Sequence, residues 1–424
     1  MERYLGEQIP KLGFGLMRLP MAGEEVDIEE TKQMVDAFME KGFCYFDTAY
    51  GYLNGKSEEA VKTALVDRYP RDQFLLATKL PAWAGAKTKE EAQRMFDISL
   101  ERTGAGYFDF YLLHNLGEKR THFFDDYDIW NFLARKKEEG LIRHLGFSFH
   151  DKAKLLDELL TKHPEMEFVQ LQINYADWEE PTIESRKCYE VARKHGKPVI
   201  IMEPVKGGNL AAPPQSVREL FEKVNPGASP SSWAIRYAAS LEGIITVLSG
   251  MSNMQQMMDN LSYMEDFHPL NQEEKQTIVR ARGILDSIPT VPCTACAYCM
   301  KGELVAKFGY PICDMKSGYL YLFKEQSKKG RVILAHHKHV SELIELTDEE
   351  RNEFFADIAA VSRALHKLYN PDKVNYGAYG DTGHHLHFHL VPKYEGGDEW
   401  GGVFQMNPEK VFLTEEEYEK IRTK

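Results

Sequence analysis

Two groups of side chains in this chain have types and spacings that could do chemistry. The first is Asp47-Thr-Ala-Tyr-Gly-Tyr52, followed by Lys79 and His114 at the ends of two later apolar runs. Delivering a hydride to a carbonyl requires a proton donor at the developing alkoxide, and a tyrosine serves when a nearby cation lowers its pKa. Tyr52 could be that donor and Lys79 the cation, with Asp47 holding the lysine and His114 orienting the carbonyl. A buried Lys–Asp pair or a lone histidine is more often structural; four such residues together are what the reaction needs. The second group is His385-Leu-His387-Phe-His389-Leu-Val391. Alternate side chains of a strand share a face, so the three imidazoles line one face while Leu386, Phe388 and Leu390 turn to the core. A histidine-rich strand could be a metal trap or a chance cluster. Phosphate chemistry uses all three: one neutral imidazole attacks phosphorus, its other nitrogen held by a hydrogen bond, while its neighbours polarise the phosphate oxygens.

These residues need a frame. Apolar runs at Leu12–Met17, Tyr45–Asp47, Leu75–Lys79, Phe110–His114, His144–Ser148, Phe168–Ile173, Val199–Met202 and Ile244–Leu248 read as strands. Between them Ile28–Lys41, Ser57–Asp67, Glu90–Thr103, Asp125–Glu139, Lys152–Thr161, Ile183–Lys194 and Ser231–Ser240 read as helices. That alternation predicts an α/β fold, a (β/α)8 TIM barrel whose active site lies at the C-terminal strand ends. Asp47, Lys79 and His114 each fall at or just past such an end. Two prolines in Ile288-Pro-Thr-Val-Pro-Cys293 break the pattern, which places one domain at 1–290 and a smaller α+β domain at 294–424. The latter offers strands at Tyr319–Phe323, Val332–Ala335 and near Val374–Ala378, a helix over about 348–369, and the histidine strand. The tail after Gly402 reads as charged and peripheral.

The 424 residues suffice for two domains, and 43% apolar with 28% charged residues is ordinary for a globular protein. A net charge of −13 argues against nucleic-acid and anionic-membrane partners. No apolar run is long enough to span a bilayer, and Met1 to Gly13 has no signal-peptide pattern. The expected location is the cytoplasm. Cys44 and Cys188 read as buried or incidental thiols. Oligomeric state stays open.

The string Tyr45-Phe-Asp47-Thr-Ala-Tyr-Gly-Tyr52, with Ser57-Glu58, Ala77-Thr-Lys79 and Leu112-Leu-His114, resembles the aldo-keto reductases from Leu12 to about Asn260. The resemblance implies a catalytic tetrad of Asp47, Tyr52, Lys79 and His114, with nicotinamide across the barrel mouth. It further implies that Ser148 and Gln170 hold the carboxamide, and that Gly250, Ser252, Asp259 and Asn260 hold the adenosine end. NADP(H) is the family default, but Gln256 stands where a basic residue would clasp the 2′-phosphate, which leaves NAD(H) possible. The second group, with Gly330-Arg-Val-Ile-Leu, Lys338-His-Val, Leu346-Thr-Asp-Glu-Glu350 and Asn375-Tyr-Gly, is similar to the histidine-triad (HIT) nucleotide hydrolases and transferases. That resemblance implies His387 as the nucleophile, and Asn375, Thr382 and His389 as phosphate contacts. The family's usual ribose-binding Asp is unmatched; Phe323 and Glu325 occupy that region.

Cys293-Thr-Ala-Cys296-Ala-Tyr-Cys299 has metal-binding spacing. Some reductases of this kind continue into a ferredoxin-like tail, but the fourth cysteine and its proline are absent here. HIT relatives often open with Cys-x-x-Cys and close a zinc site with two histidines. The matching set is Cys296, Cys299, His339 and His385, and zinc is favoured over an iron–sulfur cluster. Together these readings describe a bifunctional enzyme acting on a small carbonyl and on a nucleoside phosphate. The alternative is that only one half is active and the other binds or scaffolds.

Overall fold

A computed structural model describes residues 3–287, 309–379, 385–397, 399–404 and 410–422. The chain forms two compact units, Met1–Ser287 and Ile288–Lys424. Cys293, Cys296, Cys299 and Thr382 lie outside the described residues.

The first unit is a closed barrel of parallel strands: β1 (Leu12–Gly15), β2 (Tyr45–Asp47), β3 (Leu75–Leu80), β4 (Phe108–Leu116), β5 (Ile142–Phe149), β6 (Phe168–Gln172), β7 (Val199–Met202) and β8 (Ile244–Ser249). They are hydrogen-bonded in chain order, with β8 closing on β1. Helices cover the outside, so the strands are buried on both faces and read as continuous apolar runs. Tyr45, Leu75, Ala77, Phe110, Leu112 and Phe168 belong to one buried cluster, against which Tyr4 and Leu5 of an N-terminal hairpin pack. Phe46, Leu76, Tyr111 and Leu113 belong to another, packed against the helices. The period of two along each strand therefore continues Tyr45 to Asp47, Leu75–Ala77 to Lys79, and Phe110–Leu112 to His114. Three of the four candidate catalytic residues are thus aimed inward at one end of the barrel.

The second unit is an antiparallel sheet of β9 (Gly309–Asp314), β10 (Gly318–Phe323), β11 (Val332–His336), β12 (Lys373–Gly377) and β13 (His387–Lys393), in the order β9-β10-β11-β13-β12. A helix over Asp348–Tyr369 starts at a capping box between Thr347 and Glu350. Its Phe354, Ile358, Val361 and Leu365 pack against Leu320, Leu322, Leu334 and Leu390 on one sheet face, which leaves the other face to the histidines.

Several elements differ from the sequence reading. The tail is not peripheral: Glu415–Arg422 is a helix, and Tyr418 is 3% exposed, packed against Tyr310 and hydrogen-bonded to the Lys324 carbonyl. Tyr418 and Ile421, spaced by three on an otherwise charged helix, seat it on the core. The helix expected over 125–139 is two, Thr121–Asp126 and Ile129–Glu138, because Asp128 sits in the left-handed region at φ 53°. β9 escaped the pattern because Pro311 and exposed polar residues mark it as an edge strand. Helices over Gln215–Val224 and Met254–Met264 complete the barrel's outer layer and were also missed.

Candidate active sites

At the barrel mouth, Lys79 is fully buried, donates to Asp47 Oδ1 and gives a second bond of 2.7 Å to the Thr48 carbonyl. Burial opposes its charge, but Asp47 and Tyr52 outweigh this and hold the ammonium above its usual range. Its Nζ stands 4.9 Å from the centre of the Tyr52 ring. Burial pushes the Tyr52 phenol up; Lys79 pulls it back without reversing the shift. The expected net lowering is therefore not found in this state, because desolvation of the phenolate exceeds the lysine's attraction. The phenol is protonated at neutral pH, the form a proton donor needs. His114 packs edge-on to Tyr52 with ring centres 5.9 Å apart. Burial first, then the charges of Lys79, His150 and Arg120, hold it well below the usual histidine range, and so neutral.

Asp47, Tyr52 and His114 line a cavity of about 830 Å³ whose wall also carries Trp83, Asn115, His150 and Gln170. Gly250, Ser252, Asp259 and Asn260 line it too. Gln170 donates to Asp47 Oδ2 at 3.4 Å, and its own Oε1 is buried with no partner. An orphaned acceptor facing a cavity fits the N–H of a nicotinamide carboxamide. Ser148 pairs in register with Gln170, but it is buried, does not line the cavity, and accepts from the Asn115 N–H at 2.7 Å. Asn260 bonds Ser249 and Tyr263, and Asp259 accepts from Ser229.

In the second unit His385, His387 and His389 are all buried. His387 Nδ1 lies 2.7 Å from the His385 carbonyl, which can only accept, so Nδ1 carries the proton and Nε2 the lone pair. Burial lowers its pKa, which keeps it neutral. His389 has the opposite tautomer, because its Nδ1 faces the donors of Arg331. Arg331 is 1% exposed, stacks on Phe323 and lies 3.6 Å from Glu325. The sequence reading assigned it no role. Asn375 pairs opposite Val391, which puts it on the histidine face one strand over.

His385 Nε2 donates to the His336 carbonyl at 2.7 Å, leaving Nδ1 as the lone-pair nitrogen, 3.3 Å from Nδ1 of His339. Nitrogens bound to one tetrahedral zinc at about 2.0–2.1 Å would stand about 3.3–3.4 Å apart, so this pair fits half of such a site. Among the described residues no group of three or more metal-ligating side chains occurs.

The aldo/keto reductase family profile matches residues 11–282, about the whole of the barrel. The chain belongs to the aldo/keto reductase family. The HIT domain profile matches residues 318–396, which makes the chain a fusion of an aldo-keto reductase domain with a HIT domain. An aldo-keto reductase of Mycolicibacterium smegmatis is 26% identical over 240 residues, 57% of this chain and 79% of that one. An aldo-keto reductase from Bacillus halodurans in its holo form superposes with a TM-score of 0.53 at 24% identity, covering 65% of this chain and 93% of that one. A Klebsiella pneumoniae aldo-keto reductase in complex with NADPH gives 0.51 at 20%, covering 64% and 90%. The aldo-keto reductase domain is thus the eight-stranded barrel, and the HIT domain the antiparallel sheet with its helix. No helix among the described residues is long and apolar enough to cross a membrane.

Proposed function

We propose that the chain is a bifunctional enzyme, a nicotinamide-dependent carbonyl reductase over 1–290 and a nucleotide hydrolase or nucleotidyl transferase over 294–424. The observation that carries the first activity is the convergence of Asp47, Tyr52 and His114 on one cavity wall beside the orphaned Gln170 Oε1, with Lys79 buried against Asp47 and Tyr52. A bound reduced nicotinamide supplies the hydride. Tyr52 gives its phenolic proton to the forming alkoxide, and Lys79, held by Asp47, stabilises the phenolate left behind. His114, neutral, donates a hydrogen bond to the carbonyl oxygen. Gln170 holds the carboxamide, with Ser148 behind it fixing the Asn115 backbone, and Gly250, Ser252, Asp259 and Asn260 hold the adenosine end. Gln256 accepts from the Ser252 N–H at that end in place of a basic residue, and the wall's arginine, Arg18, lies near Gly250 and pairs with Glu203. The site therefore accommodates NAD(H) as well as NADP(H).

For the second activity, the carrying observation is the pair of opposite tautomers at His387 and His389. Nε2 of His387 attacks phosphorus, the bond to the leaving group breaks, and a nucleotidyl-histidine forms. Water or another acceptor then displaces the histidine. His389, Asn375 and Thr382 bind the phosphate oxygens. Zinc on Cys296, Cys299, His339 and His385 would pin the start of this domain to its histidine strand and supply fold stability rather than chemistry; the 3.3 Å His339–His385 approach supports it. A cytoplasmic protein is the matching location.

The test is a pair of assays on the full chain. NADPH oxidation with methylglyoxal is expected, and should stop in Tyr52→Phe. AMP release from an adenosine phosphoramidate is expected, and should stop in His387→Ala. Full activity in either variant refutes the corresponding half.

A further inference from the structure

Arg120 begins the helix over Thr121–Asp126, in the loop after β4, on the catalytic side of the barrel. Its guanidinium lies 5.1 Å over the Trp83 ring, and its Nη1 donates to Asn115 Oδ1 at 2.8 Å. Both of those neighbours line the reductase cavity, next to His114 and His150. The side chain is half-buried. A guanidinium carries five N–H donors, and among the described residues the Arg120 side chain makes one hydrogen bond, to a neutral amide.

No carboxylate among the described residues forms an ion pair with it, which is unusual for a half-buried arginine in a chain with this excess of acids. Acids in the loops after β5, β6 and β7 are committed elsewhere. Asp151 accepts the backbone N–H groups of Glu118 and Lys152, Glu203 pairs with Arg18, and Asp177 with Lys206. The other cations of the site are Lys79, paired with Asp47, and Arg18, paired with Glu203. One uncompensated, oriented positive charge thus stands beside the cavity, against its wall residues Trp83 and Asn115. Its field is felt inside: Arg120 is among the charges that hold His114 and His150 uncharged, after burial itself.

We propose that Arg120 binds the carboxylate of the reductase's substrate, so that the site selects short oxo-acids, aldehydes bearing a carboxylate a few carbons from the reacting carbonyl. The planar fork matches a carboxylate bidentately, and Trp83 and Asn115 fix the fork's orientation before substrate arrives. Carbonyl oxygen and anion are then anchored at two points, His114 with Tyr52 at one end and Arg120 at the other, which aligns the substrate. This rests on the reductase reading above.

The experiment compares succinic semialdehyde with butanal, a neutral aldehyde of the same carbon count, on the full chain with NADPH. In the native enzyme kcat/KM should favour the acid by about tenfold or more. Arg120→Met should bring the ratio near one, mostly by raising KM for the acid, with butanal turnover changed less than about threefold; Arg120→Lys should keep part of the preference. Equal kcat/KM for both aldehydes in the native enzyme, or a preference that survives Arg120→Met, overturns the proposal. If neither aldehyde is reduced, the reductase reading has failed instead, and the anion site is read by thermal shift with succinate. Stabilisation lost in Arg120→Met supports it, and no stabilisation of the native protein rejects it.

Discussion

Arg331 Nε and Nη2 lie 3.4 and 3.3 Å from His389 Nδ1, so the arginine holds the last histidine of the strand by one ring nitrogen. Because guanidinium has no acceptor, His389 must expose Nε2 as a donor. The His385 carbonyl imposes the reverse on His387. Two rings with centres 5.1 Å apart therefore offer a lone pair and an N–H to the same substrate, and the assignment follows from what faces their Nδ1 atoms.

Removing the clamp should scramble the tautomer. In Arg331→Met, 15N NMR of the histidine ring should show His389 shifting toward an Nδ1-protonated form, and AMP release should fall by about 10- to 100-fold. The variant also leaves Glu325 without its buried partner, a loss of roughly 3–5 kcal/mol, so unfolding must be measured beside activity. Arg331→Lys, which keeps the charge but not the fork, should restore stability more than rate.

Acid should weaken the fold before it damages the carboxylate pairs. Burial, with Arg331 and His387, holds His389 down to about 2, against about 6.5 in an unfolded chain. Below pH 6.5 the unfolded form takes up a proton the folded form refuses, so stability present above 6.5 is lost as pH falls, by up to about 1.4 kcal/mol per pH unit for such a group. His114 is depressed in the same direction. Calorimetry from pH 7.5 to 5 should show a falling unfolding temperature, with a shallower fall in His389→Asn.

Carbonyl reduction should show no ionisation of His114 between pH 6 and 8, since that ring is neutral throughout. It should decline only as Tyr52, pushed up by burial, loses its proton in strong alkali. The pH profile of kcat/KM measures this. A falling limb near pH 6.5 would assign the proton transfer to a different group.

Metal analysis of protein purified without oxygen should find about one zinc per chain and no brown chromophore. His339→Ala should release it. Iron with acid-labile sulfide, retained in that variant, would assign the cysteines to a cluster.

Expressed apart, 1–290 and 294–424 should each be soluble and active, since each has its own buried core. Activity from only one half would favour the reading in which the other binds or scaffolds.

Much of this was legible because strand periodicity is rigid. Once Tyr45, Ala77 and Leu112 are inward residues, Asp47, Lys79 and His114 must be inward too. The histidine face follows from the same rule. What stayed hidden depends on partners distant in sequence. Arg331 reads as an ordinary charge before an apolar strand until His389 and Phe323 close around it. Arg120 and Trp83 meet from separate βα loops, whose conformations no repeat pattern encodes. Tyr418 lies in a run of charges, and its helix is seated by that ring, by Ile421 on the same core and by Arg422 on the Pro311 carbonyl.

The placement of the tryptophans has a practical consequence. Of five, Trp83 lines the reductase cavity, while Trp130 is stacked on His163 at 3.6 Å and Trp233 on Phe221 at 4.4 Å, both away from it. Trp178 packs among Tyr189 and Tyr237, and Trp400 belongs to the other unit. The barrel thus carries a built-in optical reporter: emission from one indole should change when a dinucleotide or an aldehyde enters. Trp83→Phe should silence that signal, so occupancy of this site can be followed by eye of a fluorimeter without a label.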